Sequence, residues 1–372
     1  MGGNPRLSGR TEVLLNSNRR NLLFSLAALP CWGVAGAISR PPAVHLPHDF
    51  GAHPGTRTEW WYLTGTLSAG DRLWGFQVTF FRATTGMATS HPSRFAPREL
   101  VFGHAALTDL AAGRQHHDQR VARAGFGAAG AAEGRTDVRL RDWRLARDGP
   151  VNDGRYTVRV RSPAAGFSLD LALATTQPPL LQGLDGWSQK GPDPQHNSHY
   201  YSEPQLAVTG TVTQRGRATA ITGRAWLDHE WSTALMAPEA QGWDWIGMNL
   251  DDGSALTAFR LRRADGTALF AGGSFRRPGG PVLIFSSDSV TFTAGRTWQS
   301  PASQARYPVA WTVDTPAGHF TVAALLDAQE LDSRASTGAW YWEGLSDLRD
   351  AEGRRVGRGY LEMTGYASRL QL

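Results

Sequence analysis

The chain has 372 residues, among them 42 glycines, 21 prolines and 14 tryptophans, and a formal net charge of +5. That length exceeds one ordinary hydrophobic core and fits two domains, and the turn-rich, aromatic composition without sustained helical periods argues against a parallel βαβ fold. Residues 1–37 hold four of the arginines and one glutamate, so the remainder carries only +2, which removes the basic surface expected of a nucleic-acid binder.

In chain order, Arg19-Arg20 precede an apolar run from Leu22 to Ala37 that is too short to span a bilayer and ends in Ala35-Gly36-Ala37. This reads as a secretory signal peptide over residues 1–37, so the protein is expected to be exported to the periplasm. The stretch from Asn18 to Leu23 resembles a twin-arginine signal; ordinary secretion is the alternative. Cys31, the single cysteine, lies inside this leader, so the mature chain has no thiol chemistry.

Residues 38–55 are rich in Pro, Gly and His and read as an extended lead-in. Two aromatic, β-branched runs follow, Glu59 to Leu67 and Leu73 to Phe81, joined by a short Gly-containing turn: a β-hairpin. Further strands are expected at Leu100–Leu107, Val138–Leu145, Tyr156–Arg161 and Phe167–Ala174. Residues 183–199 are a Gly- and Pro-rich loop holding the only lysine, Lys190, with His196 and His199. The spacing of those two histidines occurs in metal sites, but no third ligand accompanies them, so a solvated polar loop is expected and no metal is assigned. His116-His117 reads as surface.

The second half repeats the first. An offset of 183 carries Trp60, Tyr62, Leu67, Leu73 and Phe76 onto Trp243, Trp245, Leu250, Leu256 and Phe259 without a gap. Offsets of 153, then 140, then 134 carry Val160 and Phe167 onto Val313 and Phe320, Tyr200 to Glu203 onto Trp340 to Glu343, and Gly223 to Asp228 onto Gly357 to Glu362. Falling offsets on strand-like runs indicate a duplication. An all-β fold of two tandem antiparallel barrels is expected, 38–236 and 237–372, meeting near Thr233 to Gln241.

Around that seam, Asp228, His229, Glu230 and Asp244 lie among Trp226, Trp231, Trp243 and Trp245. Carboxyl groups desolvated by indoles favour their neutral, proton-donating form, which points to general acid chemistry. The alternative for Asp228 to Glu230 is an exposed turn. Asp244 replaces an indole of the first copy and stands between two others, so it is the leading acid. Trp231, Trp245, Trp243, Trp61, Tyr62, Lys190 and Tyr200 are the candidate substrate-binding residues. Trp74, Trp143, Trp298, Trp311 and Trp226 read as core.

With Glu59-Trp-Trp-Tyr62, Ser188-Gln-Lys-Gly191, Trp226-Leu-Asp-His-Glu-Trp231 and Trp243-Asp-Trp-Ile-Gly247, the mature chain resembles the AttH and carotenoid 1,2-hydratase (hydroxyneurosporene synthase) family. The resemblance implies two lipocalin-like barrels and a hydro-lyase that adds water to an isoprenoid-type alkene without a cofactor. It carries over His229 and Trp231 as site residues. A non-catalytic periplasmic carrier of a lipid or other hydrophobic small molecule is the alternative, as is a hydrolase or cyclase using the same pocket. No Gly-x-Ser-x-Gly motif supports an ordinary esterase.

Overall fold

The computed structural model describes Met1, residues 43–88 and residues 90–370; the expected signal peptide, beyond Met1, lies outside the described residues. Among the described residues the regular structure is β apart from one short 3-10 turn, His48–Phe50.

A first sheet is built from β1 (Thr58–Ala69), β2 (Arg72–Thr84), β3 (Glu99–Asp109), β4 (Arg114–Arg123), β5 (Ala129–Ala131), β6 (Asp137–Leu140), β7 (Trp143–Asp148), β8 (Arg155–Ser162), β9 (Phe167–Ala174), β10 (Leu180–Leu181), β11 (Trp187–Gln189), β12 (Asn197–Gln214) and β13 (Arg217–Ala234). Its antiparallel order is β4-β3-β2-β1-β13-β12-β9-β8-β7-β6-β5, with β10 and β11 both on β12. β6 packs beside β3 and β4, so the two edges curl together into a barrel around a core that includes Trp61, Phe76, Trp143 and Tyr201.

A second sheet uses β14 (Gly242–Leu250), β15 (Ala255–Arg262), β16 (Ala268–Arg276), β17 (Val282–Phe285), β18 (Thr291–Ala294), then, past the small β19 (Thr297–Gln299) and β20 (Arg306–Pro308) ribbon, β21 (Ala310–Thr315), β22 (Gly318–Ala324), β23 (Glu330–Ser333), β24 (Ala339–Arg349) and β25 (Arg355–Thr364). Its order, β17-β16-β15-β14-β25-β24-β22-β21-β18, curls around Ile246, Trp311, Trp342 and Met363. The fold is two tandem lipocalin-like antiparallel barrels.

Burial patterns show which strands meet at the seam. β8 alternates strictly, with Tyr156, Val158 and Val160 inside and arginines and threonine outside, as a strand with one wet face must. In β13 every residue from Ala225 to Ser232 is buried, and β14 is nearly as covered. Their inner faces fill the two barrels. Their outer faces meet in a third apolar cluster with Tyr62, Trp226, Trp245 and Tyr360. Polar clamps cross the same seam: Asn249 accepts from the Gln205 backbone N–H at 2.7 Å and donates to the Ala225 carbonyl at 3.1 Å.

The strand ladders refine the internal repeat. Tyr62 stands opposite Asp228 and Trp245 opposite Glu362, in keeping with the 183 and 134 offsets. Gly65, however, stands opposite Phe76, while its counterpart Met248 stands opposite Leu256. Phe76 therefore corresponds to Leu256, and the second hairpin is three residues shorter, so the gapless match fails. Similarly Ser202 stands opposite Asp228 and Glu343 opposite Glu362, so Tyr200 corresponds to Tyr341 and the offset there is 141. The similar pair Tyr-Tyr and Trp-Tyr drew the match one residue out of register, which inverts every facing on that strand. Val160 to Phe320 is looser as well: Val160 pairs with Leu169, but Val313 with Phe320.

Candidate active site between the barrels

The outer faces of the seam strands do not close completely. They leave a cleft whose empty volume is about 790 Å³ when its open mouth is included. The first barrel contributes Trp60 and Tyr62, Thr79 and Phe81, Tyr200, Asp228 and Glu230. The second contributes the corresponding outer residues Trp243 and Trp245, Phe259 and Leu261, Tyr341, Glu343 and Glu362. Lys190 enters from the loop after β11, and Leu235 and Met236 from the crossover between β13 and β14.

The carboxyl groups are the unusual feature of this apolar lining. Asp228 accepts hydrogen bonds from Ser202 Oγ at 2.6 Å, Trp226 Nε1 at 2.7 Å and Tyr200 Oη at 2.9 Å. Burial nevertheless pushes its pKa up to about 7, against the pull of those three donors. Glu362 accepts from Trp243 Nε1 at 3.1 Å and is raised to about 8 by burial, with the charges of Asp228 and Glu230 adding to it. Glu343, directly opposite Glu362, is held well above the carboxylate range by burial and by the Glu362 charge. Both Glu343 oxygens and the Tyr62 hydroxyl are buried together, and the hydroxyl beside Glu343 offsets part of that rise. Glu230 differs: Lys190 Nζ lies 3.0 Å away, over the rings of Tyr200 and Phe259. Trp245 Nε1 donates to Tyr200 Oη at 3.2 Å, so a chain from Trp245 through Tyr200 to Asp228 ties the walls together.

Of the sequence-derived candidates, Asp228, Glu230, Trp243, Trp245, Tyr62, Lys190 and Tyr200 meet in the cleft. Asp244, His229, Trp231 and Trp61 do not, because alternate residues of a strand point to opposite faces. Asp244, expected to be the leading acid, points into the second barrel. It is fully buried there, 2.7 Å from Arg260 Nε and 3.0 Å from Arg262 Nε, and accepts from Tyr366 Oη at 2.9 Å. His229 and Trp231 point into the first barrel with Trp61, which stacks on the His229 ring at 4.5 Å. Trp231 stacks between His53 at 3.8 Å and His199 at 5.3 Å.

Those inner residues belong to a separate polar centre. Glu59 Oε1 lies 2.7 Å from His53 Nδ1 and 2.9 Å from His229 Nε2, and Glu59 Oε2 accepts from Arg82 Nε at 2.8 Å. Burial opposes ionisation of Glu59, but the two imidazoles hold it well below the carboxylate range. Burial keeps His229 low, whereas Asp49 and Glu59 overcome burial to raise His53. Among the described residues this is the one group whose donor atoms converge enough for a metal ion, all within 4.8 Å of one another. Arg82 already supplies the positive charge that Glu59 needs, so the centre is complete as a hydrogen-bonded strut.

Sequence reasoning missed Glu343, Glu362, Tyr341 and His104. Glu362 was visible as the counterpart of Asp228. Glu343 was hidden by the one-residue misregister, and His104 by the absence of any motif.

The AttH-like family model matches residues 37–366. A protein from Nitrosomonas europaea, provisionally identified as AttH, has a crystal structure 45% identical to this chain, with a TM-score of 0.81, covering 88% of this chain and 98% of its own. Kievitone hydratase from Nectria haematococca shares the fold at 15% identity and a TM-score of 0.67, covering 88% and 94%. CghA in complex with Sch210972 shares it at 11% identity and a TM-score of 0.53, covering 84% and 88%. No curated protein matches the sequence.

Proposed function

The chain belongs to the AttH-like family, and from that premise we propose that it is a cofactor-independent hydro-lyase that adds water to an isoprenoid-type alkene in the cleft between its barrels. The observation that carries this reading is a set of carboxyl groups, Asp228, Glu343 and Glu362, buried among aromatic rings in one cleft, where burial raises the pKa of each and favours the protonated form. A protonated carboxyl in a water-poor pocket is the acid needed to protonate a trisubstituted double bond, and indole faces stabilise the tertiary cation that forms. Glu362 is assigned as the acid, with Glu343 opposite it keeping a proton on the pair. Trp243 and Trp245 are assigned to the cation, while Phe81, Phe259 and Leu261 hold the hydrocarbon. The resemblance of the fold to a hydratase supports the same reading. We further propose export, with residues 1–37 as the leader; the mature N-terminus in a periplasmic fraction checks this.

The test is incubation of the mature protein with acyclic isoprenoids ending in a trisubstituted alkene, followed by mass spectrometry. A product heavier by one water, formed by the wild type and lost in Glu362→Gln, is expected. Isoprenoids bound at one-to-one stoichiometry and returned unchanged across the series would overturn the hydratase reading and leave a carrier.

A further inference from the structure

The hydroxyl of the cleft residue Tyr341 is engaged from behind by an imidazole of the other barrel: His104 Nδ1 on β3 lies 2.8 Å from Tyr341 Oη on β24. The direction of that hydrogen bond follows from the groups behind it. Gln119 donates its Nε2 to the Asp332 carbonyl, so its Oε1 faces Ser336 as an acceptor, at 2.7 Å. Ser336 Oγ has one proton, and both that oxygen and the Ser333 carbonyl, its other neighbour at 3.1 Å, can only accept it. Ser336 must therefore accept from His104 Nε2–H, 2.8 Å away. That fixes the imidazole tautomer and leaves Nδ1 as a bare acceptor, so Tyr341 donates its only proton backwards to His104. Burial keeps the imidazole neutral, lowering His104 to about 3.

We propose that Tyr341 is the water-accepting residue of the cleft and His104 its positioning residue: the relay Asp332–Gln119–Ser336–His104 holds the Tyr341 oxygen with only lone pairs facing the ligand. This rests on the hydration reading for its chemistry, though not for its geometry. In the reaction, the acid's O–H proton goes to the less substituted alkene carbon as the π bond breaks. The water oxygen bonds to the tertiary cation while its departing proton passes to Tyr341 Oη, and the Tyr341 proton passes to His104 Nδ1. Return of that proton through Tyr341 to the ionised carboxyl restores the resting state, and the net change is addition of one water. Acid and base thus share one face of the sheet: Tyr341 and Glu343 are alternate residues of β24, about 7 Å apart along the strand, and Glu362, the acid, stands opposite Glu343.

The test needs no turnover. Tetrahydromyrcenol, a saturated tertiary isoprenoid alcohol, and its methyl ether are compared by quenching of the cleft tryptophans. An acceptor-only Tyr341 favours the alcohol, which donates, by about 2- to 10-fold in Kd, the range of one net hydrogen bond. Tyr341→Phe abolishes the preference. His104→Leu shrinks it by strengthening ether binding, since the freed phenol can then donate into the cleft; a merely structural histidine would change both affinities equally. In the unsubstituted protein, ¹⁵N shifts of the His104 ring give the Nε2–H tautomer. Equal binding of the two probes, preference for the ether, binding of neither, or the Nδ1–H tautomer would each overturn the relay. Absence of hydration with every isoprenoid tried, alongside a clear alcohol preference, would overturn the enzymatic reading and leave the relay standing.

Discussion

Glu343 and Glu362 face each other across a strand pair, and two buried carboxylates at that spacing do not both ionise readily. Glu362→Gln is expected to leave the fold intact and lower turnover by about 10²–10⁴-fold, as loss of a general acid does. Asp244→Asn is expected to behave oppositely, with turnover largely kept and stability lowered by about 3–5 kcal/mol, because Arg260 and Arg262 lose their buried counter-charge; thermal melts beside rate measurements separate the two. The raised carboxyls also give a sign for the pH dependence. Asp228 and Glu362 bind protons more tightly folded than unfolded, so their stabilising contribution is complete below their ordinary pKa values near 4 and is lost as pH rises through about 7 to 8. Denaturant melts should therefore show stability falling from pH 5 to pH 8, with a shallower fall in the Asp228→Asn, Glu362→Gln double variant. The composition of this site was legible from sequence: carboxyls and indoles crowded at the seam. Which of them face one another was not. Asp244 lies between two indoles in the chain, but alternation places it on the opposite side of the strand from both.

At the scale of elements, β1 with β13 and β14 with β25 carry the site, each pair setting an aromatic residue opposite a carboxyl: Tyr62 with Asp228, Trp245 with Glu362. Gly247 is part of that device. A Cβ there would meet the Trp245 ring at 2.3 Å, so glycine lets the indole lie flat along the strand and form the cleft wall. Gly247→Ala is expected to tilt Trp245 and weaken isoprenoid binding roughly 2- to 10-fold, the range of one aromatic contact, as read by fluorescence titration. Most strands were legible because aromatic and β-branched runs between Gly and Asp turns leave little else to form. β4 was not: Arg114 to Arg123 has no apolar alternation, and its pairing on β3 is a tertiary matter. The strand read from Val138 to Leu145 is two strands around a tight turn, β6 and β7.

For the whole molecule, duplication creates a cleft that neither copy has alone. Equivalent outer faces of two barrels meet, so Tyr200 and Tyr341, Asp228 and Glu362, and Trp60 and Trp243 supply opposite walls. Fragments 38–236 and 237–372 made separately are expected to expose the seam aromatics, bind an apolar dye and show no isoprenoid binding, with binding restored on co-expression. The repeat was readable in the sequence, whereas the cleft was not, because an outer face reads as surface until its partner is known. The central claim is that this shared cleft keeps carboxyl groups protonated near neutral pH. Infrared difference spectroscopy of the mature protein tests it most directly, by following the carboxylic acid C=O band from pH 5 to pH 10. The account predicts a band that persists at pH 7, titrates away above it, and is reduced in Asp228→Asn, Glu343→Gln and Glu362→Gln. Loss of the whole band by pH 6, or a band unchanged in all three variants, would contradict it.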